Sequence, residues 1–231
     1  MATSWSLEKE LCGLVKARSV REALLRLHLI EKLDPDPLLQ ETQGWTQEHP
    51  EAFVYRFRVV LPRTAHEVVL KAIVAFSMAK SLVELAEEWI GRRRLLEMEG
   101  VLTSKLYYAK RAVLVEQSVA DKLSDHLRCS PTERLFDQVI VFAGILEKHG
   151  FCSISPFHGL RTDGRDVLVT DFGQDLGPPG VTSRRNGRLL REAIQWLESE
   201  SGQRVDKRRA RALYAFHASG SSIEGPDGLS S

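Results

Sequence analysis

The chain has 231 residues, of which 43% are hydrophobic, and its 32 lysines and arginines nearly balance 31 acidic residues. That length suits one large domain or two small lobes, and the net charge of +1 argues against a strongly basic nucleic-acid binder or an acidic disordered protein. Three separated cysteines without a CxxC pair argue against a disulfide scaffold or structural zinc. With neither a signal peptide nor a run of roughly 20 apolar residues apparent, we expect a soluble, cytoplasmic protein without a membrane span.

The N-terminal part of the sequence predicts a helix followed by a loop. Leucines at three- and four-residue steps predict one amphipathic helix over residues 6–33, which the sequence Asp-Pro-Asp-Pro at 34–37 ends. The segment 40–51 is polar and contains Gly44 and Pro50, which predicts a loop.

The next segment predicts an antiparallel hairpin. Aromatic residues alternate with mostly polar ones over 53–59, a pattern typical of a strand that is half buried on one face. The run 68–76 is apolar except for Lys71, which predicts a second strand. The segment 62–66 between them contains Pro62 and predicts the turn that joins the two strands.

Helices and strands then alternate along the rest of the chain. Helical spacing over 80–99 ends at Gly100, and two short strands are predicted at 106–108 and 112–116. The later predicted elements are a helix over 132–149 closed by Gly150, a hairpin with an Asp163-Gly164 turn and the strand 167–169, a helix over 188–200, and a basic helix over 204–217.

This order predicts an α+β protein with two lobes and a short C-terminal lobe. The predicted parts are an N-terminal helical extension over 1–40, a small β-rich lobe over 41–120, a helical lobe with a hairpin over 121–217, and a disordered tail over 218–231.

Two features of the sequence suggest phosphate chemistry. Asp171 follows the strand 167–169 and precedes Phe172-Gly173, so its carboxylate could be presented to Mg²⁺, which prefers oxygen ligands. Lys71 lies in an apolar strand, where an ammonium group is costly unless it is paired or reaches water. Glu87 and Glu88 follow on the next predicted helix, and a lysine opposite a helical glutamate is how kinases hold nucleotide phosphates.

The combination resembles the protein-kinase-like superfamily over roughly residues 50–200. The resemblance depends on the order of Val69-Leu70-Lys71-Ala72, Glu87-Glu88, Leu114-Val115-Glu116 and Val169-Thr170-Asp171-Phe172-Gly173. The stretch 100–123 is similar to the aminoglycoside and choline phosphotransferases, and the short region after Asp171 is more similar to minimal kinases such as the RIO and lipopolysaccharide-core sugar kinases.

The resemblance implies an ATP-binding protein that uses Mg²⁺. Lys71 would contact the nucleotide phosphates, and Glu87 or Glu88 would orient it. Glu116 and Ser118 would lie near the adenine. Asp171 would bind the metal, with His158 at the position of a second ligand.

The catalytic loop departs from the family pattern. Ser153 stands where the family has its catalytic aspartate, and matching His149-Gly150 to the family's His-Gly-Asp instead places Phe151 there. A serine does not accept a proton near neutral pH as a carboxylate does. The glycine-rich phosphate loop is also missing, because the segment 40–52 that directly precedes Phe53 contains a single glycine, Gly44.

Two functions therefore remain open at the level of sequence. An active protein would transfer the γ-phosphoryl group of ATP to a hydroxyl group on a small molecule, sugar or protein. An inactive one would be a pseudokinase that serves as a regulatory or protein-interaction module. A nucleic-acid adaptor is disfavoured, because the C-terminal arginines are interspersed with acids, as on a solvated helix face.

Overall fold

The structure is a computed structural model that describes residues 5–49, 52–74, 81–119, 121–151, 156–173, 176 and 187–219. Within these ranges the chain forms seven helices and eight strands, which confirms the α+β class. Two compact units are present: the first comprises Met1–Gly91 and Ser104–Val119, and the second Arg92–Thr103 and Ala120–Ser231.

The first unit contains a five-stranded antiparallel sheet, two helices that precede the sheet in the chain, and the first part of a third helix that lies between the third and fourth strands in the chain. The strands are ordered β1-β2-β3-β5-β4. The elements in chain order are α1 (Leu7–Val15), α2 (Val20–Arg26), β1 (Leu38–His49), β2 (Ala52–Val60), β3 (Ala65–Ile73), α3 (Leu82–Met98), β4 (Leu106–Lys110) and β5 (Val113–Gln117). The last turns of α3, from Arg92 onward, belong to the second unit.

The single helix predicted over 6–33 is wrong, because the chain breaks between α1 and α2. Lys16 ends α1 in the left-handed conformation, at φ 54°. Ser19 then starts α2 as its N-cap, and the Ser19 hydroxyl accepts a hydrogen bond from the Glu22 N–H at 3.2 Å. This local cap outweighs the continuous leucine spacing.

The loop predicted over 40–51 is also wrong, because most of it forms the edge strand β1. β1 pairs with β2 in a register that is shifted three times, and many of its side chains are exposed. Pairing with one neighbour and bulges are typical of a polar edge strand. The Tyr55 hydroxyl donates a hydrogen bond to the Glu41 carboxylate and fixes β1 further.

The predicted hairpin of 53–59 and 68–76 is confirmed as β2 and β3 over the residues that the structure describes. Phe57 pairs with Val68 and Tyr55 with Leu70, and Phe57 is fully buried. These residues belong to one hydrophobic core that also contains Leu11 of α1 and Leu24 of α2. The sheet therefore buries one face against the N-terminal helices, which supplies the core that a sheet needs. Residues 75 and 76 lie outside the described ranges.

The predicted helix over 80–99 and the two strands after it are confirmed as α3, β4 and β5. Gly100 follows α3 at φ 82°, a conformation that favours glycine. Arg111 makes the tight connection between β4 and β5 at φ 57°.

The second unit packs four helices with a small sheet. Its further elements are β6 (Asp121–Lys122), α4 (Leu123–Cys129), α5 (Glu133–Lys148), β7 (Leu160–Thr162), β8 (Val167–Val169), α6 (Arg188–Ser201) and α7 (Lys207–Ser219). The antiparallel β7–β8 pair confirms the predicted hairpin, whereas α4 was not predicted. At Gly144 of α5, an added Cβ would lie 3.0 Å from the Tyr214 carbonyl oxygen of α7, so this glycine permits the two helices to approach closely.

The two C-terminal helices form close to where the sequence predicts them. The helices predicted over 188–200 and 204–217 are confirmed as α6 and α7, and most of the tail predicted as disordered, from residue 220, lies outside the described residues. Of the helices in the described ranges, none combines the length and the apolar character needed to cross a membrane.

Candidate functional site

Lys71 and Glu116 lie side by side on neighbouring strands of the first unit. In the register of β3 and β5, Val69 is opposite Glu116 and Lys71 is opposite Leu114, so both charged side chains project from the same face. The Lys71 Nζ is 3.6 Å from the Glu116 Oε1, and the two side chains are 14% and 2% exposed.

The Glu116 carboxylate also accepts a hydrogen bond from a buried serine. The Ser104 hydroxyl donates to the Glu116 Oε2 at 2.7 Å, and Ser104 is fully buried. A carboxylate this deeply buried is costly unless donors and a cation surround it. Lys71 therefore has an acidic neighbour on β5. Ser104 binds the same carboxylate, and the sequence did not predict its role.

The two glutamates predicted to orient Lys71 differ in their surroundings on α3. Glu87 is exposed, whereas Glu88 is half-buried. Glu88 lies between the buried residues Ala86 and Trp89 in sequence and borders the buried stripe of the helix. Of the two, Glu88 is the residue that the helix presents near packed surface.

The backbone donors at the end of β5 already have partners. The Gln117 N–H donates to the Lys105 carbonyl oxygen at 2.8 Å, and the Ser118 N–H donates to the Glu67 carbonyl oxygen at 2.9 Å. Kinase-like proteins bind adenine through backbone groups in this region, as the resemblance implies. An adenine near Ser118 would therefore have to bind through other groups of the protein, unless the hydrogen bonds of the Gln117 and Ser118 N–H groups were broken.

Asp171 lies in a tightly held turn of the second unit, directly after β8. The Asp171 Oδ1 accepts a hydrogen bond from the Gly173 N–H at 3.0 Å. The Arg92 guanidinium donates to the carbonyl oxygens of Phe172 and Gly173 at 2.9 and 2.7 Å. The Arg93 guanidinium stacks over the Phe172 ring at 5.4 Å from its centre.

Arg93 also connects this turn to the segment that follows α3. The Arg93 Nε donates to the Glu97 carboxylate at 2.8 Å, and the Arg93 Nη2 donates to the Thr103 hydroxyl at 2.9 Å. Thr103 bridges Val169 of β8. The sequence reading missed Arg92 and Arg93, although the Arg93–Glu97 spacing of four residues is a recognisable helical pair.

His158 is exposed, but its neighbour in sequence lies against Asp171. An added Cβ on Gly159 would be 3.3 Å from the Asp171 Cβ, and the Thr170 hydroxyl donates to the Gly159 carbonyl oxygen at 3.4 Å. The structure thus brings the 158–159 backbone beside Asp171. Ser153, the residue at the expected catalytic position, lies outside the described residues.

Across the described ranges, no group of three or more His, Cys, Asp or Glu side chains forms a cluster that could hold a metal ion. Mg²⁺ is commonly bound by one or two carboxylates with water and phosphate oxygens completing its shell. An ion held at Asp171 would therefore need oxygen ligands from water or from a bound molecule, because the described side chains supply no cluster of three.

The two other acids of the hairpin have structural roles. The Asp163 carboxylate accepts hydrogen bonds from the N–H groups of Arg165 and Asp166, which lowers its pKa and is typical of an Asp-Gly turn. The Asp166 carboxylate accepts hydrogen bonds from Arg134 and Gln138 of α5, and these donors lower its pKa.

Acid should therefore weaken the second unit through Asp166. A carboxyl group whose pKa is lowered by folding stabilises the folded state above its unfolded pKa of about 3.9, and this stabilisation is lost as the pH falls through the folded pKa. We expect Asp166→Asn to lower the melting temperature at pH 7 by about 2–4 °C, roughly 1 kcal/mol, and to flatten the loss of stability below pH 4.

The matched control is Asp125→Asn, which neutralises an exposed carboxylate on α4. Thermal melts between pH 2.5 and 7 distinguish the two variants. Equal pH profiles for the two variants would contradict the role given to Asp166.

The chain matches no protein-family model, and no curated protein matches it.

Proposed function

We propose that the chain is an ATP-binding protein of the two-lobe, protein-kinase-like class, with a short C-terminal lobe. In this proposal Lys71 contacts the nucleotide phosphates, Glu88 or Glu87 assists it, and Glu116 and Ser118 lie near the adenine. Asp171 binds Mg²⁺, and His158 is the second candidate ligand. An active protein of this kind would transfer the γ-phosphoryl group to a hydroxyl acceptor.

The observation that carries the proposal is the position of Lys71. It lies on the third strand of the sheet, its side chain is largely buried beside Glu116, and helix α3 follows in the chain. Protein kinases place their phosphate-binding lysine on the third strand and its acidic partner on the helix that follows. The held turn after β8, with Asp171 at its start, supports the proposal in the same way.

The alternative is a catalytically inactive pseudokinase that serves as a regulatory or protein-interaction module. Three observations favour it. The Gln117 and Ser118 N–H groups are bonded to other backbone, the β1–β2 connection at Pro50-Glu51 contains no glycine, and a serine replaces the catalytic carboxylate at 153. Loss of the base slows phosphoryl transfer, which depends mainly on positioning and charge, without abolishing nucleotide binding.

Thermal melts with ATP, in the presence and absence of Mg²⁺, test the proposal. At 100 times its dissociation constant, a ligand stabilises the folded state by about 2.7 kcal/mol. We expect a rise of several degrees that requires Mg²⁺ and is lost in Asp171→Asn, a variant that keeps an oxygen to accept the Gly173 N–H. Asp163→Asn, on the same hairpin, is the matched control and should respond as the wild type does.

The outcomes separate the two functions. A Mg²⁺-dependent rise justifies a search for the hydroxyl acceptor by following ADP release. A rise that does not depend on Mg²⁺ or on Asp171 indicates a nucleotide used as a structural ligand. The absence of any rise at millimolar ATP contradicts nucleotide binding and leaves the interaction module.

A further inference from the structure

A groove in the first unit lies between helix α1 and the tight connection of β4 and β5. It has a volume of about 360 Å³ and opens to solvent. That volume is within the range of about 300–1,000 Å³ that is usual for small-molecule sites. The residues that line it include Glu10, Gly13, Leu14 and Tyr108, together with four basic residues.

The charge of the groove is strongly unbalanced. Four of its lining residues are cations, Lys9, Lys16, Lys110 and Arg111, against a single acid. In the described part of the chain none of these four forms an ion pair, whereas arginines elsewhere on the surface do. In a chain with nearly equal numbers of cations and acids, this is a local excess of uncompensated positive charge.

These cations are not needed to cap helix α1. Lysines near the end of a helix often bond its last carbonyl groups and interact with its dipole. Here the carbonyl oxygens of residues 12–16 already accept hydrogen bonds from other groups. Those donors are the Ala17 N–H, the Lys16 N–H, the Tyr108 hydroxyl and the Arg26 guanidinium, which serves both Val15 and Lys16.

The helix α1 lines one side of the groove and leaves space beside Gly13. Gly13 lies on the helix and is exposed, and a Cβ added there would meet nothing within 4 Å. The Tyr108 hydroxyl is held at 2.8 Å from the Leu14 carbonyl oxygen, which fixes the opposite wall. The groove is therefore bounded by two elements that are bonded to each other, and lysine and arginine residues line it.

We propose that this groove binds a small polyanion with at least two phosphate groups. Arginine is suited to phosphate because its planar guanidinium donates two parallel hydrogen bonds, and lysine ammonium groups add point charges. Four cations around one cavity suit several phosphate charges better than a single carboxylate. The proposal is independent of the proposed ATP site, because it uses neither Lys71 nor Asp171.

Calorimetric titration with tripolyphosphate, without Mg²⁺, tests the groove. The first variant, Lys9→Gln/Lys110→Gln, removes two of the four cations, and we expect the dissociation constant to rise by tenfold or more. Its control, Lys32→Gln/Arg63→Gln, removes the same charge from exposed positions of the same unit that do not line the groove. That control should change the dissociation constant less than twofold.

A second variant blocks the groove without changing its charge. Gly13→Leu places a side chain into the open space, and we expect the loss of binding to match or exceed that of the lysine variant. Gly13→Ala adds one methyl group and should preserve the fold, because alanine is favoured over glycine in a helix. Melting temperatures of all variants verify that each one is folded.

The possible outcomes of the titration either support or overturn polyanion binding in the groove. Loss of binding in the two groove variants, with little change in the Lys32→Gln/Arg63→Gln control, supports the proposal. Equal loss in the groove and control variants shows binding to overall charge and overturns it, as does the absence of binding to the wild type. Binding lost in Lys71→Met but kept in Gly13→Leu would assign tripolyphosphate to the proposed nucleotide site and would also overturn it.

Discussion

Phe57→Ala should lower the free energy of unfolding of the first unit by about 3–5 kcal/mol. Phe57 is fully buried on β2, the second strand of the sheet, in the core that also contains Leu11 and Leu24 from the N-terminal helices. Removing its ring costs the transfer free energy of the ring and leaves a cavity that the paired strands on either side cannot close. Equilibrium urea unfolding measures the loss.

The matched control is Phe53→Ala on the same strand. Four residues earlier, Phe53 projects from the same face of β2 but is 39% exposed. We expect it to cost less than about half as much, because part of the ring already contacts water. Comparable losses for the two variants would contradict the packing of the N-terminal helices against Phe57.

This core also shows which elements the sequence could predict. The alternation of aromatic and polar residues in β2 and the apolar run in β3 specify strands by themselves, since both record burial on a pleated surface. α5 was equally clear, because its apolar spacing begins after the cap Thr132 and ends before Gly150 at φ 66°. In these elements local pattern and tertiary packing agree.

β1 was missed because its burial pattern is weak. As an edge strand with many exposed side chains, it is stabilised by hydrogen bonds to β2 rather than by an apolar face of its own. The break between α1 and α2 did leave a local signal. Ser19 and Glu22 are three residues apart, the spacing of a capping box, and this spacing marks a helix start inside the continuous leucine period.

The sequence could likewise predict only part of the candidate site. Lys71 and Asp171 could be identified from the sequence because each interrupts an apolar strand or follows one. The Lys71–Glu116 pair could not, because β3 and β5 become neighbours only when β4 is placed at the sheet edge. Likewise, the contact of Arg92 with Phe172 and Gly173 joins residues about eighty positions apart, and no local pattern encodes it.

Lys71→Met should be strongly destabilising, by about 3 kcal/mol, because it removes the cation beside a carboxylate that is 2% exposed. Glu116→Leu should cost less, since the longer lysine side chain is 14% exposed and can reach water. The free energies of unfolding of the two single variants and the double variant form a cycle that isolates the interaction between them. Urea unfolding provides all of these values.

The double variant Lys71→Met/Glu116→Leu decides what the pair is for. Replacing both members of a buried ion pair by apolar groups is often neutral or stabilising, so we expect the double variant to recover most of the stability that Lys71→Met loses. Ser104→Ala in the same background removes the hydroxyl that donates to Glu116 in the wild type. A double variant as unstable as Lys71→Met would instead show that the pair is needed for folding.

A recovered fold that no longer responds to Mg²⁺ and ATP would give the pair a binding role. Charged groups that a fold can replace without loss of stability are expected where they act on a ligand, because binding sites depart from the arrangement that is best for stability. We therefore expect the double variant to melt within a few degrees of the wild type and to lose the ATP-dependent rise. Retention of that rise would exclude Lys71 from the phosphate site and leave its place on β3 as a structural feature of the sheet.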